Sequence, residues 1–119
     1  IFSKLTQYHG IFRSCNAGSK TDSWCGKCPK CLFTWIALSP FLSHEKLVEI
    51  FGKDLMADAS LTPILQQLNG TLPVKPFECV GTVGEVNACL NNDVSMFLNR
   101  FDENNFLPEK FESILKDIL

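Results

Sequence analysis

The sequence predicts a mostly α fold: a small helical domain with a four-cysteine zinc knuckle loop at its N-terminal end. Three observations carry that expectation. Apolar residues recur at i, i+3, i+4 spacing through much of the chain. Helix-opening residues such as Pro29, Ser43, Thr82 and Pro108 stand just ahead of those stripes. Four thiols crowd into Cys15 and the stretch Cys25-Gly26-Lys27-Cys28-Pro29-Lys30-Cys31. A chain of 119 residues is one domain, able to bury about two thirds of its unfolded surface. We divide it into a zinc-loop region over 1–31 and a helical core over 32–119. The start at Ile1, without Met and so close to the knuckle, points to the C-terminal fragment of a longer polypeptide.

The elements follow in order. Ile1 to Gln7 reads as a short helix and Ile11 to Arg13 as a short strand. Pro29 suits the first position of a helix, because its locked φ is helical and its missing N–H would have no partner there. Leu32 to Leu38 is apolar on nearly every side, as in a helix buried on several faces, and Ser39-Pro40 ends it. Leu47, Ile50, Phe51 and Leu55 form the stripe of an amphipathic helix begun near Ser43 and stopped at Gly52. Ser60 is the expected cap of the next, with Leu61, Ile64, Leu65 and Leu68 inward and Asn69-Gly70 as the stop. Pro73, Pro76 and Gly81 make the stretch between Thr71 and Gly81 an ordered loop or short extended segment. Thr82-Val83-Gly84-Glu85 has capping-box form and opens a helix to about Asn91, burying Val83, Val86, Cys89 and Leu90. Asp93 caps another, with Met96, Phe97 and Phe101 inward. Pro108 opens the last, striped by Phe111, Ile114, Leu115, Ile118 and Leu119.

The cysteine spacing is the chemically informative feature. Cys15, Cys25, Cys28 and Cys31 supply the four soft ligands of a tetrahedral zinc ion. Gly26 permits the positive φ of a tight turn, so that two thiolates converge. Cys28 then caps the helix opened by Pro29, and Cys31 falls in its first turn, where the helix dipole favours a thiolate. Lys20, Lys27 and Lys30 offset the negative charge of such a centre. Two other readings stay open. An iron–sulfur cluster also uses thiolates, although its C-x2-C-x2-C-x3-C-P run is incomplete here. Disulfides are the other, although the three closest cysteines are crowded for them. Cys89 reads as a small buried hydrophobe, and His9 and His44 as surface or core residues without a paired ligand.

Charge and hydropathy exclude more than they identify. A net charge of −2 and a pI near 5.6 argue against a nucleic-acid surface. The longest apolar run is far short of a membrane span and no leader is seen, so the expectation is a soluble, cytoplasmic chain. The alternative to an enzyme fragment is a zinc-binding interaction module, for protein or nucleic acid, without catalytic activity.

Ser14-Cys15-Asn16, Trp24 to Cys31, Ser39-Pro40-Phe41-Leu42 and Lys75-Pro76-Phe77-Glu78-Cys79-Val80-Gly81-Thr82 together resemble the C-terminal part of the bacterial UDP-N-acetyl-α-D-muramoyl-L-alanyl-L-glutamate epimerases. The resemblance runs from about Phe12 to Glu85. More loosely, the cysteine pattern is similar to the C-terminal zinc site of the 7-cyano-7-deazaguanine synthases, which are ATP pyrophosphatases. The epimerase resemblance implies a structural zinc, with ATP and magnesium used by the full-length protein to adenylate the α-carboxylate of a terminal L-Glu. That activation acidifies the Cα proton before the centre is inverted on the route to peptidoglycan. The ATP loop would then lie upstream of Ile1, in the remainder of the polypeptide, and this portion alone would be inactive. The other partner implied is the nucleotide-linked peptidoglycan precursor. Inversion needs an acid and a base on opposite faces of Cα, for which Glu78, Cys79 and Glu85 are the candidates by residue type. Lys27 and Lys75 are candidates for binding phosphate or a substrate carboxylate.

Overall fold

The structure, a computed structural model, describes residues 1–95 and 108–118. The chain is mostly helical, and no strand occurs among the described residues. Five α-helices are described: α1 (Pro29–Leu38), α2 (His44–Phe51), α3 (Thr62–Leu68), α4 (Val83–Leu90) and α5 (Glu109–Ile118). None is long and apolar enough to cross a membrane.

Helix α1 organises the rest, packing against α2, α3 and α4. Its extended N-cap residue, Cys28, hands over to Pro29, and Ser39 closes it by donating its N–H to Trp35 O and its hydroxyl to Ile36 O. The face formed by Cys31, Leu32, Trp35, Ile36 and Leu38 is buried. Lys30, Phe33 and Thr34 lie on the other side and are half-buried, so α1 has one less buried stripe where the apolar run predicted almost none. Leu47 and Phe51 of α2, Leu55, Leu61, Leu68 of α3 and Val86 of α4 complete the core.

The caps are local and mostly as expected. Ser43 Oγ accepts from Lys46 N, and Gly52, at φ +76°, ends α2 with its N–H on Val48 O. Thr82 and Glu85 form the reciprocal capping box of α4. The cap ahead of α3 is a correction: Asp58, not Ser60, does the work. Asp58 Oδ1 accepts from both Ser60 N (3.0 Å) and Ser60 Oγ (2.6 Å), opening a single 3-10 turn (Ala59–Leu61) before the α-helix proper. A carboxylate is the stronger acceptor, and Pro63, with no N–H, delays the regular ladder.

Three other expectations change. Ile11 and Phe12 both donate N–H groups to Tyr8 O, so Ile11 to Arg13 begins as a turn and forms no strand. The short N-terminal helix is two 3-10 turns, Phe2–Lys4 and Thr6–Tyr8. In the two-turn α4, Val86 is fully buried and Cys89 half-buried, but Val83 and Leu90 at its ends are exposed. Val83 instead covers Gly70, whose φ is +84°. Phe111 and Ile114 of α5 are exposed. The helix expected from Asp93, with Met96, Phe97 and Phe101 inward, and the side chains of Leu115, Ile118 and Leu119 lie outside the described residues.

Two ties hold the cysteine-rich segment to this core. A ladder of rings runs His9, Phe2, Phe12, Trp24, Phe51, Trp35, His44, with centroid spacings between 4.6 and 6.2 Å. It joins the N-terminal turns to α1 and α2 through the buried Trp24. The second tie is Lys53. Its stem lies against Gly26, where an added Cβ would come within 2.7 Å of Cε, and its ammonium donates to Asp58 Oδ2 at 2.6 Å. Asp58 thus caps with one oxygen and pairs with the other. Lys53 first, then the Ser60 hydroxyl and N–H, hold its carboxyl down from the ordinary 3.8 to about 2.

Leu68→Ala should destabilise the fold by about 2–5 kcal/mol, as large-to-small changes at fully buried sites do. Phe77→Ala, at a fully exposed side chain, should change stability by less than about 0.5 kcal/mol. Urea denaturation followed by tryptophan fluorescence distinguishes the two. Because the folded pKa of Asp58 lies below its unfolded value, its contribution is present above about pH 4 and fades as the pH falls toward 2. Asp58→Asn, which keeps a capping oxygen, should therefore lower the thermal midpoint at pH 6 but not at pH 2.

Candidate metal centre

Local geometry brings Cys25, Cys28 and Cys31 together. Gly26, buried and at φ +65°, turns the chain between the first two, and the start of α1 sets the third one helical turn beyond Cys28. Cys15 must arrive from farther away. Its carbonyl accepts from Ser19 N, a 3-10 turn follows over Gly18–Thr21, and Asp22 adopts a left-handed conformation at φ +50°. Ser23 N then returns to Gly18 O, with the backbone packed so tightly on Gly18 that no Cβ would fit. The loop closes on itself and delivers Cys15 to the other three.

The four Sγ atoms lie within 4.8 Å of one another. Cys28 Sγ is 3.6 Å from Cys15 Sγ and 3.5 Å from Cys31 Sγ, and Cys25 Sγ is 3.7 Å from Cys31 Sγ. None is at disulfide distance, and all six cysteines are free thiols. An iron–sulfur cluster places several metal and sulfide atoms between its thiolates and so spreads them farther apart. The space here suits one ion. The four-cysteine cluster can hold a metal ion, with Cys15 and Cys31 buried and Cys25 and Cys28 half-buried.

The electrostatics point the same way. Burial pulls the Cys15 thiol up, but N–H donors from Gly18 and Cys25 and the thiols of Cys25 and Cys28 outweigh it and bring it down to about 6. Cys28 is pushed up to about 11, first by burial and then by its sulfur neighbours. Cys31 is pushed up as well, for the same reasons. One negative charge is tolerated among the sulfurs, and further ones need a cation to neutralise them.

Two polar clasps flank Cys15. Ser14 Oγ lies 3.3 Å from Thr34 Oγ1, and Lys30 Nζ donates to Asn16 Oδ1 at 3.1 Å. Each joins a chain neighbour of Cys15 to α1, and neither pairing was legible in the sequence, where Ser14 and Asn16 belong to a motif but nothing names Thr34 or Lys30 as their partners. Beside them a groove of about 390 Å³ is lined by Phe12, Ser14, Lys30, Phe33, Thr34 and Cys79.

The remaining candidates fall on or near the loop before α4. Cys79 is exposed and faces that groove. Glu78 shares a neighbouring depression of about 290 Å³ with Pro76, Phe77 and Cys79. Two tight turns, Glu78 N to Pro76 O and Val80 N to Glu78 O, shape the loop, and Lys75 Nζ reaches Val80 O at 3.4 Å. Glu85 Oε2 is committed to the cap, accepting from Thr82 N (2.7 Å) and Thr82 Oγ1 (3.0 Å). Lys27 is exposed on the knuckle, and neither it nor Lys75 lines the groove. The histidines belong elsewhere: His9 is buried with Nε2 3.0 Å from Phe2 O, and His44 Nε2 lies 3.1 Å from Asp54 Oδ2.

This arrangement can be set beside known proteins. The family model of the MurL C-terminal domain matches residues 11–105. A UDP-N-acetyl-alpha-D-muramoyl-L-alanyl-L-glutamate epimerase of Micromonospora sp. is 43% identical over 89 residues, covering 71% of this chain and 20% of the relative. The enzyme of the same name from Salinispora tropica is 43% identical over 88 residues, covering 71% of this chain and 19% of the relative. That from Xanthomonas oryzae pv. oryzae is 41% identical over 86 residues, covering 67% and 19%. No solved structure matches. The chain thus spans about one fifth of the length of the curated relatives it matches. With its knuckle, α1 to α4 and the loop between α3 and α4 all inside the matched span, the chain belongs to the MurL C-terminal domain family.

Proposed function

We propose that this chain is the zinc-stabilised C-terminal domain of an ATP-dependent epimerase that converts the terminal L-Glu of UDP-N-acetylmuramoyl-L-alanyl-L-glutamate to D-Glu. The reaction would serve peptidoglycan precursor synthesis in the cytoplasm, and the domain would be inactive alone. The observation that carries this reading is the match to MurL relatives across the cysteine cluster and the loop before α4. Residues 1–119 act as one domain, with the metal loop over 1–31 and the helical core over 32–119.

Zinc suits the donor set. A Zn–S bond of about 2.3 Å implies S···S edges of about 3.8 Å in a regular tetrahedron. Three of the six S···S edges, at 3.5–3.7 Å, lie close to that, and all six are within 4.8 Å. Four thiolates fill the coordination sphere, so the metal's role is structural and no water or substrate binds to it. ATP and magnesium, when bound by the full-length enzyme, supply the activated carboxylate that makes the Cα proton acidic. On this chain, Cys79 is the group we assign to hold or move that proton on one face, since it is a free, exposed thiol facing a cavity of ligand size. Glu78 stands beside it as the neighbouring carboxylate. Glu85, held by its cap, fixes the loop's exit, and Lys27 and Lys75 are left as contacts for the nucleotide's phosphates.

Incubating the full-length protein with ATP, magnesium and the L-Ala-L-Glu nucleotide should yield D-Glu and AMP; chiral analysis finding only L-Glu would sink the reading. The purified protein should be colourless and contain one zinc per chain. Cys28→Ser should lose the metal and, with it, stability on the order of 10 kcal/mol. Protons compete with zinc for thiolates, so affinity should fall with falling pH, which a chromogenic chelator titrated from pH 8 to pH 5 would follow.

A further inference from the structure

We propose that the groove between α1 and the loop before α4 binds the carboxylate end of a glutamyl peptide, with Lys30 as its ionic anchor. Cys79 stands at the edge of the bound residue. The assignment of a glutamyl ligand rests on the epimerase reading above; the anion site itself rests on the groove.

Four features make that site. The volume, about 390 Å³, falls in the roughly 300–1,000 Å³ range of small-molecule pockets. The ammonium of Lys30 has no carboxylate partner among the described residues, and its bond goes to the neutral amide of Asn16. Ser14 and Thr34 present two hydroxyls 3.3 Å apart; one donates to the other, which leaves one O–H free to donate to a ligand. Phe12 and Phe33 supply apolar walls for the methylenes of a glutamyl side chain. Phe33 is itself held against Gly81, where an added Cβ would come within 2.8 Å of its ring Cζ.

The donor set selects a carboxylate over a phosphate. One cation and one free hydroxyl donor match a singly charged planar anion. A phosphate dianion usually recruits several cations or a row of backbone N–H groups, and Lys30 is the one cation among the described residues that line the groove.

Cys79 makes the proposal readable, because among the described cysteines it is the exposed one. With the zinc-loaded full-length protein, we would measure Cys79 alkylation by iodoacetamide using peptide mass spectrometry. The probes are the dipeptide L-Ala-L-Glu and, as an uncharged control, L-alanyl-L-alaninamide. Millimolar L-Ala-L-Glu should slow alkylation several-fold and the control should not. Lys30→Gln should raise the half-protecting concentration about tenfold, as loss of a charge-assisted contact does. Zinc stoichiometry should stay unchanged, and Lys30→Arg should restore protection. The proposal is overturned if the dipeptide gives no protection, if Lys30→Gln is protected as well as the parent, or if Cys79 in the full-length protein is unreactive because other parts of the polypeptide fill the groove. D-Glu formation without protection would remove this site and keep the epimerase reading; protection without D-Glu formation would do the reverse.

Discussion

The convergence of four sulfurs is the constraint on which the other features of this domain depend. Three of them sit where a glycine turn and a helix N-terminus put them, at little conformational cost. Cys15 is different, since a ten-residue loop has to fold back on Gly18 to deliver it. Buried thiols that crowd one another resist ionising together, as the raised Cys28 and Cys31 show. Neutral thiols can sit together as they are, but four thiolates need a cation among them, and a cation bound there would favour the loop's closure.

What that closure fixes is the start of α1. Cys28 is its cap and Cys31 lies in its first turn, so holding the sulfurs holds the helix that packs on α2, α3 and α4. The knuckle is in turn braced from the core side by Trp24 against Phe51 and by the Lys53 stem across Gly26. Metal cluster and apolar core thus secure each other through one helix. A coordination sphere closed by four cysteines would leave no vacancy for chemistry, which on the proposed reading then lies beside the metal.

The features legible in the sequence were those encoded within a few residues. The cysteine spacing, Cys28-Pro29, the Ser43 and Gly52 ends of α2 and the Thr82–Glu85 box are all local signals with local causes. Errors arose where a distant or competing partner decided the outcome. Ser60 is a reasonable cap in isolation, but Asp58 also answers to Lys53 and displaces it. Ile11 to Arg13 has strand-like composition, yet a strand needs a partner, and the Tyr8 carbonyl captured two of its N–H groups first. Val83 and Leu90 match the apolar period of α4, but the helix meets α1 through Val86 and Cys89 and leaves its ends outside. The groove was invisible for the same reason: Ser14, Lys30 and Cys79 are chemically ordinary until the fold sets them side by side.

The groove inherits its order from the metal site through chain connectivity. Ser14 and Asn16 flank Cys15, and Lys30 precedes Cys31, so the groove's hydroxyl pair and its ammonium are each placed by a residue bonded to a ligand. Phe33 and Thr34, by contrast, belong to the middle of α1, which the apolar core holds independently. A cation bound by the cluster would be the strongest hold on the Cys15 loop, and its loss would leave the two clasps, the turn at Gly18 and Trp24 packed on Phe51 as the loop's remaining tethers. One wall of the groove would go first, ahead of the larger loss of stability, on the order of 10 kcal/mol, expected once the metal is gone. On the proposed reading, a metal with no coordination site for substrate would still govern substrate binding, by deciding whether the wall exists.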